Sequence, residues 1–178
     1  MTFKDFELQE GNHFIAMEYY GLILNRTFLI LITDKYLIGL KVNGLISVEG
    51  GSGDLSRWLS QKMVVRGDLQ NPYSYIKSKY LLKIEDLDIF GGEILKAQDS
   101  NFKITRRKIQ SVTYDKSKKW GMGYYPHDGK VYVKEENARK KEFIILGSQS
   151  GEKIKNWILK IKTMSNTCLP AQPPTRAC

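Results

Sequence analysis

The stretch Arg26-Thr-Phe-Leu-Ile-Leu-Ile-Thr-Asp-Lys-Tyr-Leu-Ile-Gly-Leu-Lys-Val-Asn-Gly44 decides the fold class. Phe28 to Ile32 is apolar throughout, rich in branched side chains, and too short for a buried helix, so it reads as a strand. Thr33-Asp34-Lys35 then supplies polar turn residues, and Tyr36 to Val42 reads as a second strand. Asn43-Gly44 is a strong hairpin signal, because both central positions of a type I′ turn need positive φ, and Leu45 to Val48 is the expected return strand. A meander of three strands is predicted between 28 and 48.

Working outward, His13 to Tyr20 reads as a further strand upstream. Downstream, Gly50 to Gly53 breaks the pattern as a flexible linker. It lacks the Gly-Lys-Ser/Thr of a phosphate-binding loop. Asp54 can cap a helix carrying Leu55, Trp58, Leu59 and Met63, and Asn71-Pro72 can start another carrying Tyr75, Ile76, Lys79 and Tyr80. Residues 49–86 are therefore predicted to be a helical insertion. Strand character resumes at Leu87 to Phe90, Phe102 to Thr105, Ile109 to Tyr114, Trp120 to Tyr125, Val131 to Val133 and Phe143 to Leu146, with turns at Gly91-Gly92, Lys116 to Lys119, Asp128-Gly129 and Glu135 to Lys141. Closely spaced strands and turns of this kind suggest an antiparallel sandwich or small barrel.

The last element is the clearest. Ser150 can cap a helix, Glu152 sits in its first turn, and Ile154, Trp157, Ile158 and Ile161 follow the i, i+3, i+4, i+7 rule with Lys160 and Lys162 at the C-terminal end. Such a stripe has to be buried, against the sheet or in the open end of a barrel. The proline-rich segment 166–178 is expected to be disordered, leaving one domain over 1–165. The fold class is thus mostly β (α+β) with a closing amphipathic helix.

Length and composition narrow the class. A chain of 178 residues suits one good core. No apolar run approaches the ~20 residues needed to span a bilayer, and the first residues lack a signal peptide's apolar region, so a cytoplasmic protein is expected. Cys168 and Cys178 both fall in the tail and read as free thiols, and with His13 and His127 they have no zinc spacing. No metal or cofactor is expected. Charge is uneven: residues 1–100 hold 11 Lys+Arg against 13 Asp+Glu, and residues 101–178 hold 17 against 6. The basic half favours an anionic partner or serves only as a solvated surface.

Three segments carry a family resemblance. Arg26 to Leu40, an apolar strand, Thr-Asp-Lys and a second apolar strand, resembles the early strand pair of pleckstrin-homology-like domains of the GRAM and bacterial PH types. Phe102-Lys-Ile-Thr-Arg-Arg-Lys-Ile-Gln-Ser-Val112 is similar to a later strand of those domains, and Lys141-Glu-Phe-Ile-Ile-Leu-Gly147 with the Trp157 helix to their last strand and closing helix. The resemblance covers roughly 14–162, apart from the 49–86 insertion. It implies a seven-stranded half-open barrel plugged by a C-terminal helix, and a non-catalytic module for lipids, peptides or protein surfaces. The basic loop that holds phosphoinositides in typical members matches Gly21 to Thr27 here, which offers only Arg26, so that site does not transfer.

The candidate binding residues lie in the basic half. Lys116, Lys118, Lys119 and Lys130 flank Trp120, Tyr124 and Tyr125, a mixture suited to an anionic membrane surface, where lysines meet headgroups and aromatics favour the interface. The same residues could pair phosphates and stack bases of a nucleic acid. A hairpin whose aromatics face the core is the competing structural reading. Arg106, Arg107 and Lys108 could clamp an anion or form a solvated turn. His127 lies in Pro-His-Asp-Gly, a good turn sequence, and Glu85-Asp86-x-Asp88 lacks the spacing of a calcium loop. Without a nucleophile and positioned base, the expectation is a non-enzymatic binding module for an anionic membrane or a protein partner, with a nucleic-acid-binding protein and an enzyme as the alternatives.

Overall fold

The computed structural model describes residues 1–20, 24–46, 65–122 and 124–164. The expected helix around Asp54 to Met63, the Gly50–Gly53 linker and the 166–178 tail with both cysteines lie outside the described residues. Seven strands, β1 (His13–Tyr19), β2 (Asn25–Ile32), β3 (Tyr36–Asn43), β4 (Phe102–Thr105), β5 (Ile109–Asp115), β6 (His127–Glu135) and β7 (Lys141–Leu146), form one antiparallel sheet in the order β4-β3-β2-β1-β7-β6-β5. Short helices α1 (Ser78–Leu81) and α2 (Glu93–Lys96) precede β4, and α3 (Gly151–Met164) closes the described chain.

Both faces of the sheet are covered. On one face Phe14, Phe28, Ile30, Leu37, Ile104, Ile109, Val131 and Phe143 join Ile154 and Ile158 of α3 in a single cluster. Strands from both ends of the sheet contribute, so the sheet curls around this interior, with α3 packed on β5 and β6. Each fully buried Ile or Leu stabilises the packing by about 1.5–3 kcal/mol. On the other face Ile15, Met17, Leu29, Leu31, Ile38 and Leu40 lie under Tyr75, Ile84, Ile89 and Ile94 of the connection between β3 and β4, and under Met122 and Tyr125. Double coverage explains the unbroken apolar run of β2, which a sheet wet on one side would not tolerate.

Side chains complete the sheet where backbone pairing stops. Between β1 and β7 the Gln149 amide accepts from the Ile15 N–H at 2.8 Å and donates to the Ile15 and Leu146 carbonyls at 2.7 Å. At the β2–β3 turn the Thr33 hydroxyl accepts from the Tyr36 N–H and donates to the Tyr36 carbonyl, both at 3.0 Å. The β3–β4 pair needs Gly39, because a Cβ there would stand 2.1 Å from the Phe102 ring, which stacks on Phe143 at 5.9 Å.

Three expected elements take other forms. Asn43-Gly44 starts no hairpin with a return strand over 45–46: the buried Asn43 amide donates to the Tyr75 carbonyl at 2.9 Å, and the buried Asn25 amide pairs with both backbone groups of Ile46. Those asparagines take over the backbone pairing that a third strand would have supplied. Leu87 to Phe90 is a set of turns with one bridge, Thr2 to Asp88, because its apolar residues serve as a cover for the sheet. Asp128-Gly129 is a bulge inside β6, where Gly129 at φ +63° approaches the Asp115 carbonyl so closely that a Cβ would stand 2.2 Å away.

Asn71 caps only a 3-10 turn over Pro72–Tyr75, accepting from the Tyr73 N–H at 3.0 Å; the helix expected to carry Tyr75, Ile76, Lys79 and Tyr80 breaks at Ile76 and Lys77, which are extended, and α1 starts anew at Ser78. The N-terminus of α3 receives Asp128, whose carboxylate accepts from the Gly151 N–H at 2.8 Å and from the Tyr114 hydroxyl at 2.7 Å. Its charge also complements the helix dipole. Burial and this carboxylate push the Tyr114 hydroxyl up to about 12.

Candidate docking surface

The connection from β5 to β6 is not the strand expected over Trp120 to Tyr125. It is a loop laid back across the sheet and fastened at several points. At its start Asp115 accepts from the Ser117 N–H at 2.8 Å and pairs with the Lys130 ammonium at 2.9 Å, while Lys130 also donates to the Ser117 hydroxyl at 2.7 Å. These bonds hold the Asp115 carboxyl down at about 2 and raise Lys130. In its middle Lys119 pairs with Glu142 of β7 at 2.7 Å, and its N–H donates to His127 Nε2 at 3.0 Å. Nδ1 of the same ring lies 3.0 Å from the Tyr125 carbonyl, so the ring bridges two backbone groups of the loop. Near its end Met122 and Tyr125 are buried, with the Tyr19 hydroxyl 3.5 Å from the Gly121 carbonyl. Burial pushes the Tyr125 hydroxyl up to about 12.

Between those fastenings the loop presents apolar surface to solvent. Trp120 is 93% exposed and Tyr124 is 60% exposed, its ring stacked on the buried Tyr125 at 4.9 Å. Lys116 and Lys118 are exposed beside them, without a partner among the described residues. An isolated exposed leucine needs no account, but an almost fully exposed tryptophan on an anchored loop does.

The ten sequence candidates therefore divide. Lys116, Lys118, Trp120 and Tyr124 share one exposed loop. Lys119 and Tyr125 belong to the same loop but hold it in place, and Lys130 fastens its start from β6. Arg106 is 4% exposed, donating to the Thr33 carbonyl at 2.9 Å and to the Ile158 carbonyl, so it ties the β2–β3 turn to α3. Burial lowers its pKa, an effect the nearby Asp34 opposes. Arg107 and Lys108 are exposed in a 3-10 turn at the far end of β5. Seven strand residues at ~3.3 Å each put them roughly 20 Å from Lys116. The Lys108 carbonyl accepts from the Glu136 N–H, which sets them beside the hairpin carrying exposed Arg139 and Lys140. One convergent anion clamp is not formed.

The remaining candidates have structural partners. Asp86 pairs with Lys4 at 2.7 Å and Asp88 with the Met1 amine at 3.3 Å, so these carboxylates dock the N-terminal segment. Among the described residues no three His, Cys, Asp or Glu side chains gather as metal ligands, and no helix is long and apolar enough to cross a membrane. Sequence reading missed that Tyr19 and Glu142 support the loop, since partners so distant in sequence leave no local signal. The chain matches no family model, and the comparisons with curated proteins and with solved structures found no match.

Proposed function

We propose that this chain is a non-catalytic binding module that docks on an anionic membrane surface through the β5–β6 loop. The observation that carries this reading is Trp120, almost fully exposed on a loop whose own anchors are buried or ion-paired. A tethered loop loses little entropy on docking. The indole and the Tyr124 ring enter the headgroup region, while Lys116 and Lys118 gain ~1 kcal/mol each from anionic lipid. The excess of cations in residues 101–178 adds long-range attraction.

The architectural side of the proposal is a pleckstrin-homology-like domain. Support comes from the antiparallel order of seven strands and from α3 packed over the curled sheet, together with the three sequence segments described above. On this reading the connection between β3 and β4 is an addition that covers the sheet's other face. The module uses the β5–β6 loop rather than the β1–β2 loop that holds phosphoinositides in typical members.

Sedimentation with phosphatidylserine-containing vesicles against pure phosphatidylcholine tests the function. Binding to the first and not the second is expected, weakening as salt rises. Equal behaviour toward both vesicles contradicts it. Retention on DNA with a steep salt dependence, in a protein that ignores vesicles, would transfer the same surface to nucleic acid.

A further inference from the structure

A concavity lies away from the β5–β6 loop. The N-terminal segment, the β2–β3 turn and the covering connection border an open cleft of about 600 Å³, lined by Phe6, Ile32, Tyr36 and Phe90, with Asp34 and Lys35 at its polar side. Its volume falls in the range of small-molecule sites, which combine apolar walls with a few charged groups. The Tyr36 and Phe90 rings stand 6.1 Å apart at 46°, leaving two aromatic surfaces at an open angle.

The charge around this cleft is uneven. The Lys103 ammonium stands 5.0 Å from the centre of the Tyr36 ring and donates to the Phe90 carbonyl at 2.9 Å. Arg106 donates to the carbonyl of Thr33, another lining residue. Lys35 is exposed with no side-chain partner among the described residues. Against these three cations stands Asp34, and it already acts on Arg106. Asp88 pairs with the Met1 amine at the rim and also acts on Lys103, which leaves four cations facing two carboxylates. A neutral apolar ligand would leave this excess unanswered, and a cation would be opposed by it.

We propose that the cleft binds a small amphipathic anion, an aromatic or aliphatic body carrying one carboxylate. The body lies against Phe6, Tyr36 and Phe90, and the carboxylate pairs with Lys35 at the mouth. Phe90 and Tyr36 supply area and Lys35 supplies orientation, because Arg106 and Lys103 already spend donors on backbone carbonyls. This binding is independent of membrane docking, since no residue of the β5–β6 loop lines the cleft.

Three ligands with one body and different charge test it: 2-naphthoate, 2-naphthamide and 2-naphthylmethylammonium, titrated into the full-length ¹⁵N-labelled chain and followed by amide shifts. Naphthoate is expected to bind at least fivefold more tightly than the ammonium, with shifts concentrated at residues 32–36 and 90. Lys35→Glu should weaken naphthoate at least fivefold while leaving the melting temperature unchanged, and Phe90→Ala should weaken all three ligands. Equal or tighter binding of the ammonium, shifts elsewhere, no shifts at millimolar ligand, or indifference to Lys35→Glu would each overturn the proposal. Vesicle binding by Lys35→Glu is expected to match the wild type, which separates this site from the docking loop.

Discussion

Arg106 and Arg107 are neighbours in sequence and opposites in role. Arg106→Met removes two donors from carbonyls on separate elements and should cost about 1.5–3 kcal/mol in urea unfolding. Arg107→Met, at an exposed position, should stay within ~0.5 kcal/mol of the wild type. Gln149→Ala leaves the Ile15 N–H and carbonyl without their partner, for an expected loss of about 1–3 kcal/mol and faster amide exchange at Ile15. Gly39→Val must displace Phe102 from its stack, an overpacking expected to cost about 1–3 kcal/mol, read from the same unfolding curves. His13 gives a pH signature. Burial holds its pKa below the ordinary 6.5, so the unfolded chain binds the proton more readily. Stability is then full above about pH 6.5 and declines as pH falls through that value, levelling off below the folded pKa. Melting curves from pH 8 to 5 should show this decline, and His13→Gln should flatten it.

Among elements, those with a clear period were legible. The apolar runs of β1, β2, β3 and β7, buried on both faces, the strand patterns of β4 and β5, and the 3.6-residue stripe of α3 were all readable because burial dictates each pattern along consecutive residues. Asn43-Gly44 misled because a tertiary contact, the Tyr75 carbonyl, took the side chain that a free turn would have left in water. Leu87 to Phe90 misled because covering a sheet demands apolar residues at irregular intervals, which resemble a strand when read alone. The β5–β6 loop misled for a related reason: Met122 and Tyr125 face the core while Trp120 and Tyr124 do not, and that division is invisible without the partners Tyr19 and Glu142. The loop's own prediction concerns its first anchor. With Asp115 held at about 2, the Ser117 amide should stay protected above pH 3.8 and lose protection as pH falls toward 2, a course that Asp115→Asn should abolish.

For the whole molecule, the charge asymmetry was countable from the sequence, but its usable part was not. Arg106, Lys119 and Lys130 spend their charge inside the fold, and Arg107 and Lys108 stand at the opposite end of β5 from Lys116 and Lys118. A basic half has thus become a loop with two free lysines and two exposed aromatics, and a separate basic turn. The measurement that separates them is the partition of three proteins onto phosphatidylserine-containing vesicles: wild type, Lys116→Gln/Lys118→Gln, and Arg107→Gln/Lys108→Gln. At ~1 kcal/mol per lysine, the loop variant should bind about thirtyfold more weakly. The distal variant, removing the same charge, should stay within threefold of the wild type, and Trp120→Ala should fall with the loop variant. Equal losses from both charge variants, with Trp120→Ala unchanged, would contradict docking through this loop and leave only diffuse attraction by net charge.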